Sequence, residues 1–175
     1  MRIRLTSTLS LLAAALLLIG CGTDRTNGVD PAQIQYVPIL EQAHGDNADL
    51  TEPLAELIRS QEALEALDAE IPLAEQVDFE TQSLIVLAAG EQRTGGYWAR
   101  ILGVQRVGDE LWLQGVINQP GEDAAATQQI THPYAAAIIP RPADDVQLRR
   151  QIDTVTGRDP AEFDDTADTT MQPAE

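Results

Sequence analysis

The chain has 175 residues and a net charge of −17 at pH 7, and all of its basic residues are arginines. A charge this negative repels nucleic acid and anionic headgroups, so binding to a phosphate backbone is excluded. The composition is 43% hydrophobic but only 4% aromatic, which predicts one modest domain with an aliphatic core. The acidity is explained either by solubility in a salty medium or by an acidic patch that meets a basic partner, and composition does not separate the two.

The first 20 residues are predicted to be an export signal. Two arginines precede an apolar stretch at residues 9–19, which is too short to span a bilayer. Residues 18–21 (Leu-Ile-Gly-Cys) resemble the lipobox of bacterial lipoproteins, and the resemblance implies cleavage before Cys21 and acylation of its thiol. Several acyl chains give stable anchoring. We therefore expect a lipid-anchored protein of the bacterial cell envelope, in the outer membrane if the cell is Gram-negative, because Gly22 is not the aspartate of inner-membrane retention. An ordinary cleaved signal and an uncleaved membrane helix are the alternatives.

The mature chain divides into three predicted regions. Residues 21–32 are polar and turn-rich, as a flexible tether would be. Residues 33–152 form the predicted domain, and residues 153–175 are rich in Asp and Thr, which predicts a disordered acidic tail.

The first half of the domain is predicted to contain an edge strand, a helix and a central strand. Residues 33–40 alternate in polarity but contain Pro38, which predicts an edge strand or a break. Ser60 is expected to cap a helix over residues 60–70, after a segment at 54–59 that fits either a strand or a helical turn. The continuous apolar run at 82–89 predicts a strand that is buried on both faces.

The second half is predicted to be β-rich. A strand over 97–107 keeps one buried face only if a bulge lies at residues 102–103. A tight turn at 108–109 leads to a returning strand over 111–117. Residues 134–139 form a last apolar strand, and residues 146–152 can add a short edge strand. The predicted fold class is α+β and mostly β: a small antiparallel β-sandwich or barrel-like sheet with one short helix.

The residues that catalysis requires are scarce. Ser60 and Ser83 are the only serines of the mature chain, and the first is better used as a cap and the second as the start of a strand. His44 and His132 are isolated from each other and from any metal-ligand pattern. We expect no enzymatic activity, no cofactor and no metal ion.

A family resemblance is carried by several motifs that occur in order. These are Val-Asp-Phe at 77–79, the apolar strand ending at Gly90, Thr-Gly-Gly-Tyr at 94–97, the hairpin that follows, and Thr-His-Pro-Tyr at 131–134. Over residues 59–141 the chain resembles the C-terminal domain of the protease complex subunit PrcB family. The resemblance implies a non-enzymatic lipoprotein domain of the cell envelope that associates with a surface protease.

Two other functions stay open. The segment at 94–98 is similar to a loop of chagasin-type inhibitors of cysteine proteases, with one inserted glycine, but the other two inhibitor loops have no counterpart. A purely structural envelope lipoprotein is the third reading.

Eight residues are candidates for partner binding. Tyr97 and Tyr134 fit a core position as well as a binding surface. Trp98 and Trp112 fall on the outer face of the predicted hairpin, with Trp112 opposite Gln105, and exposed aromatic residues often dominate binding. Replacing either tryptophan with alanine is expected to weaken binding without changing the melting temperature. The candidates are Thr94, Gly95, Gly96, Tyr97, Trp98, Trp112, Pro133 and Tyr134.

Overall fold

A computed structural model of the chain describes residues 34–124 and 127–164. The predicted export signal, Cys21, the tether, and residues 165–175 of the predicted tail lie outside these ranges. None of the helices in the described ranges has the length and apolar character needed to cross a bilayer.

Two four-stranded sheets pack face to face, so the sandwich is confirmed and a closed barrel is not formed. The strands are β1 (Ile34–Tyr36), β2 (Glu41–Gly45), β3 (Pro53–Ile58), β4 (Gln82–Ala89), β5 (Trp98–Val107), β6 (Glu110–Gln119), β7 (Tyr134–Pro140) and β8 (Gln147–Thr156). The first sheet, sheet A, has the strand order β1-β5-β6-β8, and the second, sheet B, has the order β2-β7-β4-β3.

The helices are short. They are α1 (Gln61–Glu65), a 3₁₀ helix (Pro72–Gln76) and α2 (Ala161–Asp164), so there are two α-helices rather than the one predicted. Ser60 caps α1 as expected, because its Oγ accepts the Ala63 N–H at 3.2 Å. The helix is shorter than predicted. Asp68 has φ +49°, a left-handed conformation that a continuing α-helix cannot contain.

Strand β4 is buried on both faces, as its continuous apolar sequence predicted. Ile85 and Leu87 point into the core between the two sheets, which also contains Leu113. Leu84 and Val86 point the other way, into a second core beneath α1, the 3₁₀ helix and the loops around them. The molecule therefore has three layers: sheet A, sheet B and a helical layer on the far side of sheet B.

The β5–β6 hairpin has the predicted details. Gly108 occupies the turn with φ +59°, and Val107 pairs with Glu110. The register shifts between Ile101 and Gly103, which is the expected bulge, and Val104 stays in the core between the sheets.

The end of the chain differs from prediction in two respects. Strand β8 pairs with β6 in parallel, so sheet A is mixed and not antiparallel throughout. The direction follows from the connection, because β7 lies in sheet B and carries the chain back before β8 begins. The domain also continues past the predicted boundary at Ile152, since β8 extends to Thr156 and α2 follows it. Within the ambiguous segment at 54–59, residues 54–58 belong to β3.

Candidate interaction site

Trp98 begins β5 at the end of the sandwich where the chain leaves β4 and β6. Trp98 pairs with Asn118, and Trp112 pairs with Gln105 near the opposite end of β5. Both indoles lie on the outer face of sheet A, as predicted. Both side chains are half-buried. We call the region around residues 94–98, Asn118 and residues 157–163 the Trp98 corner.

The loop at residues 94–96 is held in place by the loop that follows β6. The Gly95 N–H donates to the Thr127 carbonyl at 2.9 Å, and the Thr131 hydroxyl donates to the Thr94 carbonyl at 3.2 Å. A Cβ at Gly95 would collide with the Thr127 hydroxyl, and Gly96 has φ +88°. An added side chain would therefore displace the Thr127 hydroxyl at Gly95, and the backbone conformation of Gly96 favours glycine.

The chain's own C-terminal segment covers Trp98. The Phe163 ring lies 5.2 Å from the Trp98 ring, centroid to centroid, at an interplanar angle of 54°. The Trp98 indole N–H donates to the Arg158 carbonyl at 3.2 Å. The Arg100 guanidinium lies 5.5 Å from the Trp98 centroid, and that of Arg158 lies 6.0 Å from the Phe163 centroid. Aromatic and cation–π contacts thus join four side chains.

Asn118 ties the loop to the C-terminal segment. Its side chain is 2% exposed, donates from Nδ2 to the Gly96 carbonyl at 3.2 Å, and accepts the Arg158 N–H through Oδ1 at 3.0 Å. The Gly157 N–H donates to the Gln119 carbonyl at 2.8 Å. A buried amide with partners on both sides fixes the two segments relative to each other. The sequence patterns did not indicate Asn118, Arg158 or Phe163 as site residues. Asn118 follows the predicted strand at 111–117, and Arg158 and Phe163 lie in the predicted acidic tail.

Three predicted contact residues, Gly95, Pro133 and Tyr134, are buried and cannot face a partner. Tyr134 is 6% exposed and belongs to the core beneath the helical layer, and the neighbouring Pro133 is fully buried. A Cβ at Gly45 would lie 2.7 Å from the Tyr134 ring, so the ring is tightly enclosed. Burial, with a smaller contribution from the Asp46 charge, raises the pKa of Tyr134. Tyr97, which lies within the Trp98 corner, is half-buried.

Trp112 lies in a different environment from Trp98. Its cross-strand neighbour on β8 is Arg149, which forms an ion pair with Glu110 at 2.6 Å from Nη2 to Oε1. The Arg149 side chain donates from Nε to the same Glu110 carboxylate at 2.7 Å and lowers its pKa. The outer face of sheet A therefore carries an ion pair between Arg149 and Glu110 beside the Trp112 indole.

The structure places the serine and histidine residues that the sequence analysis considered for catalysis or metal binding. Ser83 is fully buried in β4, where its hydroxyl cannot reach a substrate. His132 lies 4.0 Å from a carboxylate oxygen of Asp49 and of Glu91. Within residues 34–124 and 127–164, no group of three or more His, Cys, Asp or Glu side chains is arranged to hold a metal ion.

The charges are unevenly distributed. Residues 41–80, which include β2, β3 and most of the helical layer, contain twelve acidic residues and one arginine. The strands of sheet A instead carry four arginines (Arg100, Arg106, Arg149 and Arg150) and two acidic residues (Glu110 and Asp153). The two parts of the molecule therefore differ in the balance of charge as well as in cover.

The family comparison applies to the part of the chain that contains this corner. Residues 83–140 match the family model described as PrcB C-terminal, from the start of β4 to the end of β7. No curated protein matches the chain, and no solved structure matches it. The matched segment includes the glycine loop, Trp98, Trp112 and Asn118. The resemblance inferred from the sequence is therefore confirmed for residues 83–140, which are similar to the PrcB C-terminal family.

Proposed function

We propose that the protein is a non-catalytic binding protein of the bacterial cell envelope that acts as an accessory or modulator of an extracytoplasmic protease complex. The observation that carries the proposal is the family match over residues 83–140, since this family is associated with a protease complex. The same residues contribute four of the eight strands, including the β5–β6 hairpin with both tryptophans.

The geometry of the Trp98 corner supports binding as its role. A loop held by backbone hydrogen bonds loses little conformational entropy when a partner docks on it. Trp98 and Trp112 are half-buried and lie on an outer sheet face, where an indole can contribute strongly to an interface. No cofactor is part of the proposal.

We also propose that the domain is tethered to the membrane through acylated Cys21. The support is the similarity of residues 18–21 to a lipobox, behind a short apolar stretch with a basic start. In cells that express the chain, Cys21→Ser should move it from the membrane fraction to the soluble fraction. Continued membrane association of that variant would contradict anchoring through this thiol, and a density gradient would assign the wild type to the inner or outer membrane.

The inhibitor alternative is poorly supported by the corner. An inhibitory loop has to project into a protease cleft, whereas Gly95 is buried and the Thr94 carbonyl is hydrogen bonded to the Thr131 hydroxyl. It is retained as one outcome of the test.

The test is a pull-down of the full-length protein from its own membranes in mild detergent, followed by mass spectrometry. We expect a protease to copurify with the wild type and to be lost with Trp98→Ala. Glu56→Gln is the matched control, since Glu56 is exposed on β3 of the other sheet. Recovery of the lipoprotein alone at several salt concentrations would contradict the proposal. Loss of the copurified protease's activity would favour an inhibitor.

A further inference from the structure

We propose that residues 157–163 form an intramolecular latch, which occupies the Trp98 corner and must leave before a partner segment with an aromatic residue beside carboxylates can bind there. The inference rests on the proposed function, because it takes this corner as the partner site. It adds the chemistry of the partner segment and the way in which access to the site is controlled.

The latch makes its contacts at the surface of sheet A and not inside the fold. The Phe163 ring packs against Trp98 in a tilted arrangement, and the Arg158 backbone is hydrogen bonded to the side chains of Trp98 and Asn118. None of residues 157–163 belongs to the core between the sheets or to the core beneath the helical layer. Release of the latch therefore exposes the Trp98 ring without opening either core.

The latch is also poorly covered by the rest of the protein. Residues 157–159, 161 and 162 are exposed, and only Pro160 and Phe163 are half-buried. The ion pair between Arg158 and Glu162, at 2.5 Å, lies within the segment and does not attach it to the sheet. Segments that have few buried contacts and follow the last strand open more easily than the sheet itself.

The residues of the latch indicate which partner segments would fit the Trp98 corner. Phe163 is preceded by Glu162 and followed by Asp164, so the corner holds an aromatic ring with carboxylates next to it in sequence. The Arg100 guanidinium lies over the same Trp98 ring, which favours negative charge beside the bound aromatic side chain. A partner segment with such a ring would repeat the contact of Phe163 with Trp98 and compete with the latch, while its carboxylates would meet the positive charge of Arg100.

Fluorescence can measure latch opening without any partner. In a full-length Trp112→Phe variant the remaining tryptophan is Trp98. Removing the Phe163 ring should shift the latch toward the open form by about fivefold, so Phe163→Ala should raise acrylamide quenching of Trp98. Phe163→Leu, which keeps apolar bulk, should give a smaller rise.

Tyr36→Ala is the matched control for that experiment. Tyr36 is 56% exposed on the same face of sheet A, at the other end of β5, where it pairs with Gln105. Its removal should leave Trp98 quenching unchanged. Equal quenching in Trp112→Phe with and without Phe163→Ala would overturn the latch, because Trp98 would then have the same exposure in both proteins.

A synthetic peptide tests the class of ligand. Asp-Pro-Ala-Glu-Phe-Asp, which repeats residues 159–164, is added to the full-length Phe163→Ala protein in the Trp112→Phe background. It should restore protection of Trp98 from acrylamide, and the same peptide with Ala in place of Phe should not. Equal effects of the two peptides would contradict recognition of an aromatic side chain.

The pull-down separates this inference from the proposed function. Phe163→Ala should increase protease recovery, whereas Trp98→Ala should abolish it. Equal loss in both variants would overturn the latch, since Phe163 would then be part of the partner site. If the fluorescence and peptide results are as expected but no protease copurifies, the latch and its ligand class are supported and the protease role is rejected.

Discussion

The outer faces of the two sheets differ sharply. Sheet B is covered on its outer side by α1, the 3₁₀ helix and their loops, and Tyr134, Val86 and Ile138 are buried beneath them. In the part of the chain that the structure describes, no comparable layer covers sheet A, whose outer face is protected chiefly at the Trp98 corner. Tyr134, on the outer face of sheet B, is buried and contributes to stability. Trp98, on the outer face of sheet A, is half-buried and can exchange its contact with Phe163 for one with a partner.

The sequence patterns of the strands explain this difference. Strands β4 and β7 are apolar at nearly every position, so both of their faces must be covered. Strands β5 and β6 instead carry polar or amphipathic residues such as Gln105 and Gln114 at alternate positions. An outer face of this composition remains stable when exposed to water.

The largest expected effect is on the free energy of unfolding, and it is measured by replacing one tyrosine on each of the two faces. Tyr134→Ala should lower the free energy of unfolding by about 3–5 kcal/mol, because it leaves a cavity beneath the helical layer. Tyr36→Ala, at an exposed position on sheet A, should change it by less than about 0.5 kcal/mol. Urea denaturation of both variants measures the difference. Similar losses would show that the two faces are not distinct in the way described.

A glycine pair tests how closely the sheets approach each other. A Cβ at Gly115 would lie 2.7 Å from Leu87 Cδ2 and 3.0 Å from Ile152 Cδ1, so Gly115→Ala should cost about 1–3 kcal/mol through overpacking. At Gly103 the nearest atom to an added Cβ is Gln114 Oε1, at 3.7 Å, and Gly103→Ala should be nearly neutral. Thermal melting of the two variants compares them. A neutral Gly115→Ala would mean that the sheets can separate at this point.

Asn118 offers a way to uncover the protected corner of sheet A. Asn118→Ala leaves the Gly96 carbonyl and the Arg158 N–H without their side-chain partner and should cost about 1–2 kcal/mol. Amide hydrogen exchange at Arg158 should accelerate. Gln114→Ala, on the same strand and face, is the control and should leave that exchange rate unchanged. An unaltered Arg158 rate in Asn118→Ala would contradict the role of the buried amide.

The smallest effect concerns the charges beside Trp112. Arg149 lowers the pKa of Glu110 from its ordinary value of 4.5, so the pair stabilises the folded state above pH 4.5. This contribution is lost as the pH falls below 4.5 and through the lowered pKa of the folded state. Arg149→Gln should therefore be slightly less stable than the wild type at pH 7, with a difference that shrinks in acid. Urea midpoints at several pH values test this, and a constant difference would contradict it.

Local features of the fold could be predicted because they depend on neighbouring residues. The Ser60 cap, the turn at Gly108 and the bulge before Gly103 each follow from backbone preferences within a few positions. The burial of Tyr134 was also accessible, since it begins a run that is apolar on both faces. Its neighbour Pro133 had been treated as part of a surface motif, which obscured that signal.

Features that join distant parts of the chain could not be predicted in the same way. The parallel pairing of β8 with β6 depends on β7 lying in the other sheet, which no local pattern specifies. Phe163 is a single aromatic residue in an acidic stretch, without the periodicity that marks a packed element. The contact of Phe163 with Trp98 therefore depends on the three-dimensional fold and is not indicated by any local sequence pattern.

The chain enters sheet A at the end that is remote from the Trp98 corner. Ile34 pairs with Val107, beside the turn at Gly108, whereas Trp98 lies at the opposite end of β5, about 30 Å away at the usual rise per residue. Under the proposed anchoring, the predicted flexible tether would therefore join the domain at the turn end. A partner could then approach the Trp98 corner without displacing the point of attachment.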